Sequence, residues 1–302
     1  MAFTAKDVMA LREKTGAGMM DCKKALTDAD GDMEKAGELL RERGIAKAEK
    51  KASRIAAEGV VLGYVEGKTG VLVEVNCESD FVANGPKFHE LTLAVAKHIA
   101  AKQPATVEEL LAQDFALEPG KTVETFIKEQ VAVIGEKISV RRFVVRNSEG
   151  YQTTYIHLGG KLGVLLDVSC SELTDAVKET AHDITLQIAF TKPAYLTEAE
   201  VPAEKIAKEK EILKEQAINA GKKPEIAEKI VMGGIKKFYQ ENCLLDQAFI
   251  KDDKKTVASL LKSAGSDMSV NGFAFYVMGE GLEKKQEDLS EEVAKQVQAM
   301  KK

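Results

Sequence analysis

The sequence lacks a long hydrophobic run. No stretch of its 302 residues approaches the roughly 20 consecutive apolar residues that a membrane-spanning helix requires. Its first residues alternate polar and apolar side chains and do not form the core of a signal peptide. Cysteine is scarce: Cys22, Cys77, Cys170 and Cys243 include no CxxC pair and no histidine at ligand spacing, so neither a zinc site nor a disulfide framework is predicted. We expect a soluble, cytoplasmic protein with reduced, mostly buried cysteines.

Catalytic signatures are also missing. The chain has no P-loop, no nucleophile elbow and no GxGxxG between a strand and a helix. Of its four histidines, His98 and His182 fall in helical stretches, where a structural or surface role is expected. A thiol enzyme with Cys77 as nucleophile and His89 as base is a rival hypothesis. Because Cys77 lies within an apolar strand, a buried structural cysteine is favoured, and no enzyme activity or cofactor is predicted.

Composition and charge narrow the class of protein further. With 44% hydrophobic and 30% charged residues, the chain has enough material for two or more compact domains. The 43 basic residues are balanced by 48 acidic ones, a net charge of -5, which argues against a dedicated nucleic-acid binder. One run from Arg41 to Arg54 carries six basic and two acidic residues. It predicts an exposed helical linker with a solvated face, and phosphate binding is the less favoured alternative.

The first 45 residues predict a bundle of three helices. Thr15 to Gly18 and Asp30 to Asp32 supply the turns between them, with Asp32 as an N-cap, and Gly44 is predicted to close the third helix as a C-cap. The three apolar stripes are Val8 and Leu11, then Met19, Met20, Cys22, Ala25 and Leu26, then Met33, Ala36, Leu39 and Leu40.

A strand pattern then begins and later repeats. A hairpin with a turn at 67–70 is followed by a helix from Phe88 and a strand at 137–145, which is the order of an α+β domain. The segment KTGVLVEVNC at 68–77 matches KLGVLLDVSC at 161–170 at an offset of 93. Because the turn, strand and following helix agree, the pattern indicates a duplicated α+β core whose second closing strand lies at 273–281.

The remaining segments complete the predicted organisation. Two amphipathic helices around the break at 219–224 predict an inserted helical hairpin, and the tail predicts a C-terminal helix. The predicted domains are a bundle and linker at 1–55, a first repeat at 56–148, a second repeat at 149–195 and 240–282, the hairpin at 196–239 and the C-terminal helix at 283–302.

The two repeats diverge just past their matching strands. The first has Ser79, Asp80 and Phe81 where an ungapped alignment gives the second Glu172, Leu173 and Thr174. An aromatic ring on a turn is typical of an anchor for a partner protein. Equally, Asp80 can serve as a helix N-cap with Phe81 packed beneath it as a staple. The pattern alone does not choose between these interpretations.

Several motifs together resemble a known family. They are TGAGMMDCKKAL at 15–26, VNCESDFVA at 75–83, YIHLGGKLGVLL at 155–166 and MGEGLEKK at 278–285. In this order and over essentially the whole chain they resemble the bacterial elongation factor Ts family. The chain has Ser79 and Lys161 where Thr and Arg are common in the family. Both substitutions keep the chemical character of the residue.

The resemblance implies a guanine nucleotide exchange factor for elongation factor Tu, with a ubiquitin-associated-like bundle at its N-terminus. GDP, GTP and magnesium would be held by the partner. The alternative is a scaffold or chaperone-like protein that binds RNA or unfolded chains through the bundle and basic linker. No membrane or direct nucleic-acid contact is expected, and a homodimer through the hairpin stays open.

The resemblance also implies roles for nine residues. Asp80, Phe81 and Val82 would enter the partner's magnesium and phosphate site, with Ile134 and Gly135 bordering the Phe81 wedge. The bundle residues Met19, Met20 and Lys23 would grip a helix of the partner's nucleotide-binding domain, and His157 would face another domain. Without the resemblance, core packing is favoured for both methionines and an ordinary surface position for Lys23.

Overall fold

The computed structural model describes residues 3–264 and 267–283 of the chain. Helices and antiparallel strands are mixed throughout these residues, which confirms the α+β prediction. Contacts divide the chain into two compact units. Of the described residues, the first unit contains 3–60, 73–143 and 278–283, and the second contains 61–72, 144–264 and 267–277. The predicted C-terminal helix lies outside the described residues.

Three helices form the N-terminal bundle: α1 (Ala5–Thr15), α2 (Met19–Asp28) and α3 (Met33–Lys51). The α1 helix begins with a capping box between Thr4 and Asp7, and Asp32 caps α3 as predicted by accepting two backbone N–H groups. Their buried side chains form one apolar cluster, which comprises Val8, Leu11, Cys22, Ala25, Leu26, Ala29 and Ala36.

The prediction that Gly44 ends the third helix is wrong. Helix α3 continues to Lys51, and Gly44 is buried inside it. A Cβ atom at Gly44 would lie 2.9 Å from the Cβ of Ala132, which is closer than real Cβ contacts. This glycine therefore serves close helix packing. Residues 41–51 of the predicted helical linker are the second half of α3, and most residues of the run 41–54 are exposed.

The chain from Glu58 to Asn147 forms the first repeat. Its elements are β1 (Glu58–Glu66), β2 (Thr69–Cys77), α4 (Asp80–Ala83), α5 (Pro86–Lys102), α6 (Val107–Ala112), α7 (Val123–Ile134) and β3 (Ser139–Asn147). The strands form a three-stranded sheet in the order β1-β2-β3, and the connection of β1 to β2 at Gly67 and Lys68 lies where the hairpin turn was predicted.

The second repeat has the same sheet order, β4-β5-β8, with β5 antiparallel to both neighbours. Its elements are β4 (Tyr151–His157), β5 (Leu162–Ser169), α8 (Asp175–Thr191), α9 (Ala203–Asn219), α10 (Pro224–Asn242), β6 (Ala248–Phe249), β7 (Asp252–Thr256), α11 (Val257–Ala264) and β8 (Ser269–Val277). The predicted closing strand at 273–281 extends too far, because residues 278–281 form a turn. The short elements β6, β7 and α11 were missed.

The helices after the central strands support the duplication. Helices α5 and α8 each have 17 residues, and each ends at a non-glycine residue in the left-handed conformation, Gln103 (φ 47°) and Lys192 (φ 50°). A proline follows in both cases. The same unusual C-cap at the same place indicates one structural unit used twice.

The prediction that the cysteines are mostly buried is confirmed: Cys22, Cys77 and Cys243 are buried, and Cys170 is partly buried. Burial and the charges of Asp246, Glu198 and Glu200 raise the pKa of the Cys243 thiol to about 11. Among the helices in residues 3–264 and 267–283, none is long and apolar enough to cross a membrane. The described part of the chain also contains no group of three histidine, cysteine or acidic side chains that would hold a metal ion.

Candidate protein-binding site

The turn after β2 displays an aromatic ring to solvent. Ser79, and not Asp80, is the N-cap of the one-turn helix α4: its hydroxyl accepts a hydrogen bond from the Val82 N–H at 3.3 Å. Phe81 is 86% exposed, so the interpretation of Phe81 as a buried staple under Asp80 is wrong. Ala83 is the buried residue that attaches α4 to the core.

This turn is an insertion relative to the second repeat. Leu162 begins β5 93 residues after Thr69 begins β2, whereas Asp175 begins α8 only 89 residues after Pro86 begins α5. From the first residue of the strand to the first residue of the helix, the first repeat therefore has four more residues, which is the length of α4. The ungapped alignment of the sequence analysis concealed this difference, although the change of offset was readable from the two helices.

Two glutamates join the turn to the end of α7. The Glu136 carboxylate accepts the backbone N–H groups of Glu78 and Ser79, both at 3.0 Å, and the Ser79 hydroxyl at 2.5 Å. In return, the Glu78 carboxylate accepts the Lys137 N–H at 2.6 Å. We call these hydrogen bonds the Glu78–Glu136 brace. Neither glutamate is predictable from a local pattern, because 58 positions separate them in the sequence.

The brace brings two predicted segments together. Ile134 is the last residue of α7 and is partly buried, and Gly135 is its exposed C-cap with φ 91°. Because Glu136 follows directly, both residues lie beside the turn that carries Asp80 and Phe81. Five predicted residues, with Val82 on α4, thus belong to one surface region.

Met19, Met20 and Lys23 lie on α2 and are all exposed. Met20 is 74% exposed, so the core packing favoured for the methionines from pattern alone is wrong. The buried residues of α2 are Cys22, Ala25 and Leu26, which face the bundle core. An apolar stripe that continues onto the surface is typical of a protein-binding face.

Helix α3 contacts both of these regions. Lys47 pairs with Asp21 of α2 at 3.0 Å, and Lys51 donates to the carbonyl oxygen of Gly135. Gly44 lies about one turn before Lys47 on the same helix, at its close approach to Ala132 of α7. The α2 face and the Phe81 turn are therefore connected through one continuous helix.

The basic run from 41 to 54 is largely neutralised by partners. Arg41 pairs with Glu129, Arg43 with Asp28, Lys47 with Asp21 and Arg54 with Glu78, and Lys51 donates to a backbone carbonyl. Five of its six basic side chains thus have partners within the chain. This pairing disfavours the alternative in which the run binds RNA phosphates.

The rival thiol site is also disfavoured. The Cys77 side chain is fully buried, and its thiol lies 3.2 Å from the Ser79 carbonyl oxygen, to which it donates. A thiol enclosed in this way has no route to a substrate.

In the second unit, His157 ends β4 and is exposed, with its Nδ1 atom 2.8 Å from the Tyr155 hydroxyl. The next residue, Leu158, is 74% exposed and has a φ of 48°, which is unusual for a leucine. His157 was predicted as a binding residue, whereas the exposed Leu158 beside it was not.

A buried charge cluster was also missed. The fully buried Glu74 of β2 accepts hydrogen bonds from Arg141 (2.9 Å), Arg142 (2.6 Å) and the Gly279 N–H (2.8 Å). Burial raises the pKa of the Glu74 carboxyl, but these donors outweigh burial and hold the pKa below its ordinary value. The cluster attaches the MGEG turn to the first sheet.

Comparisons with known proteins agree with this arrangement. A family model described as Elongation factor TS matches residues 78–280. The elongation factor Ts of Clostridium perfringens is 50% identical over 300 residues, covering 97% of this chain and 98% of the relative. Those of Clostridium botulinum and Halothermothrix orenii are 47% and 45% identical, each covering 98% of this chain and 99% of the relative. The chain therefore belongs to the elongation factor Ts family of translation elongation factors.

Proposed function

We propose that the protein is a guanine nucleotide exchange factor that binds elongation factor Tu and promotes GDP release. The observation that carries the proposal is Phe81, an aromatic ring that is 86% exposed on an inserted turn. Leaving a large apolar side chain in water has no benefit for the free protein, whereas aromatic anchors at interfaces carry much of the binding energy.

The mechanism requires no covalent chemistry. A protein that binds nucleotide-free elongation factor Tu more tightly than its GDP complex must weaken GDP binding by the same ratio, because the two equilibria are linked. In this proposal Phe81 inserts beside the partner's phosphate site, while the Asp80 carboxylate disturbs the environment of the magnesium ion. Val82 enters the site with them, and Ile134 and Gly135 border the inserted ring. The chain's residues act only by binding.

The other proposed contacts extend the interface. Met19 and Met20 offer exposed apolar surface and Lys23 a positive charge on one helix, which suits a groove or helix with a mixed apolar and acidic surface. His157, in the other unit, is proposed to contact a different domain of the partner. These contacts hold the partner, and the Phe81 turn changes its affinity for nucleotide.

The test is the release of a fluorescent GDP analogue from elongation factor Tu, chased with unlabelled GDP. The full chain is expected to accelerate release in a concentration-dependent, saturable manner. A scaffold or chaperone would leave the release rate unchanged while suppressing aggregation of an unfolded test protein. An unchanged release rate at saturating protein would refute the exchange function.

A further inference from the structure

The Glu136 carboxylate contacts the turn where the backbone leaves β2 and enters α4. It accepts two backbone N–H groups, from Glu78 and Ser79, through one oxygen, and the Ser79 hydroxyl through the other. Hydrogen bonds to an ionised carboxylate are about twice as strong as those between neutral groups. These three bonds therefore fix the backbone that leads from β2 into α4.

The same carboxylate also orients the cap of α4. The Ser79 hydroxyl donates a hydrogen bond to Glu136. A lone pair of the hydroxyl oxygen is therefore free to accept the hydrogen bond from the Val82 N–H. Helix α4 has only four residues, too few to be stable without external support. Its geometry depends on this cap and on the carboxylate behind it.

Phe81 has little packing of its own to orient it. Because its ring is exposed, the direction in which it projects follows from the backbone of α4. We propose that Glu136 is a positioning residue for nucleotide exchange, which acts through the brace by presenting Phe81 to the partner's nucleotide site. This inference rests on the proposed exchange function. Glu136 itself touches neither nucleotide nor magnesium in this proposal.

The test compares Glu136→Ala and Glu136→Gln with Glu124→Ala. Glu124 is an exposed glutamate on α7 that pairs with Lys128, so its removal controls for the loss of one acidic side chain nearby. Glutamine keeps the length of the side chain and one accepting oxygen. We expect Glu136→Ala to slow GDP release about tenfold, since misplacing a positioned group by about 1 Å can cost about 100-fold. We expect Glu136→Gln to stay within about threefold of the wild type.

Two further readouts separate positioning from a general structural effect. Combining Glu136→Ala with Phe81→Ala should slow release no more than Phe81→Ala alone, because both changes remove the same presented ring. Amide hydrogen exchange should accelerate at Glu78, Ser79 and Val82, with the amides of β2 unchanged. If Glu136→Ala also exposes β2, Ser79→Ala takes its place in the same double-variant comparison.

These experiments distinguish failure of the positioning role from failure of the exchange function. Wild-type release by Glu136→Ala, or losses that multiply in the double variant, would overturn the positioning role even if the wild-type chain is an exchange factor. Unchanged exchange of the three turn amides would show that the brace does not hold the turn. If the wild-type chain releases no GDP, the exchange function and the role of Glu136 in it both fail. Amide exchange then still reports separately on whether the brace holds the turn.

Discussion

The two repeats satisfy the same buried polar position with different side chains. In the first, the buried His98 accepts the Ala116 N–H through Nδ1 at 3.1 Å, and its Nε2 lies 3.0 Å from the Gln113 side-chain oxygen. Because a backbone N–H donates to Nδ1, the ring proton belongs on Nε2 and the imidazole is neutral.

In the second repeat, Gln187 lies at the equivalent place, 89 residues later. Its side-chain oxygen accepts the Ile250 N–H at 2.9 Å, and its amide lies 3.1 Å from the Gln247 side-chain oxygen, to which it donates. A neutral imidazole and an amide thus supply the same donor and acceptor. Where only the scaffold matters, the repeats agree in geometry although they differ in residue type.

The repeats differ in length at two connections between the elements of their shared core. The first inserts α4 with Phe81 between strand and helix, and the second inserts the hairpin of α9 and α10 before its last helix. Each copy has therefore changed at a different connection, which the shared core tolerates.

Substitutions of Glu74 and of Asp167, the equivalent residue of the second repeat, should differ most in their effect on stability. Glu74→Ala leaves Arg141 and Arg142 without their shared carboxylate and should lower the free energy of unfolding by about 3 kcal/mol. Asp167 accepts one amide hydrogen bond, from Asn271, so Asp167→Ala should cost about 1 kcal/mol. Urea unfolding of both variants measures the difference, and equal losses would contradict the assignment of a charge cluster to the first copy alone.

Substitutions of Phe81 and of Leu173 test which of the two turns binds the partner. Phe81→Ala should slow GDP release roughly 30-fold, corresponding to about 2 kcal/mol for an interface anchor, with the unfolding free energy nearly unchanged. Leu173 is 45% exposed in the corresponding turn of the second copy, and Leu173→Ala should leave release unaffected. A loss of 3 to 5 kcal/mol of stability in Phe81→Ala would instead indicate a buried ring.

His98 should make the first repeat sensitive to pH. Burial lowers the pKa of His98, the hydrogen bond to Gln113 opposes it, and the charges of Lys102 and Asp114 act in opposite directions. Between the lowered pKa and the ordinary value near 6.5, only the unfolded chain binds this proton. The free energy of unfolding should therefore fall as the pH drops below about 6.5.

His98→Gln should remove this pH dependence of the free energy of unfolding. Gln187→His should introduce a similar pH dependence through the other repeat. Both substitutions keep a donor and an acceptor, so each should change stability at pH 8 by less than about 1.5 kcal/mol. Thermal melts between pH 5 and 8 give the slopes. An unchanged slope in His98→Gln would show that this histidine is not the titrating group.

The left-handed caps should respond equally in both copies. Gln103→Gly and Lys192→Gly each relieve the steric cost of a positive φ and each add freedom to the unfolded chain. The expected net gain is about 0.5 kcal/mol per site, which precise denaturation curves resolve. A gain at one site with a loss at the other would mean that the caps are not equivalent.

Local chemistry determined much of the fold before any tertiary contact is considered. The α+β class, the strands of the two three-stranded sheets and the turn at 67–70 follow from hydrophobic period and turn residues, which act over a few positions. Asp32 caps α3 for the same reason, since its side chain reaches the N–H groups of the next turn. Each of the motifs that carry the family resemblance is likewise contiguous in the sequence.

Only the tertiary structure decided the roles of residues whose partners are distant in sequence. Gly44 looked like a helix end because a glycine is equally suited to a C-cap and to close packing, and its neighbour Ala132 determines which applies. Phe81 was ambiguous because exposure depends on everything around the turn, including the hydrogen bonds that Glu136 makes to Ser79 57 positions earlier. Such contacts form when the chain closes long loops, and no local pattern records which residues then meet.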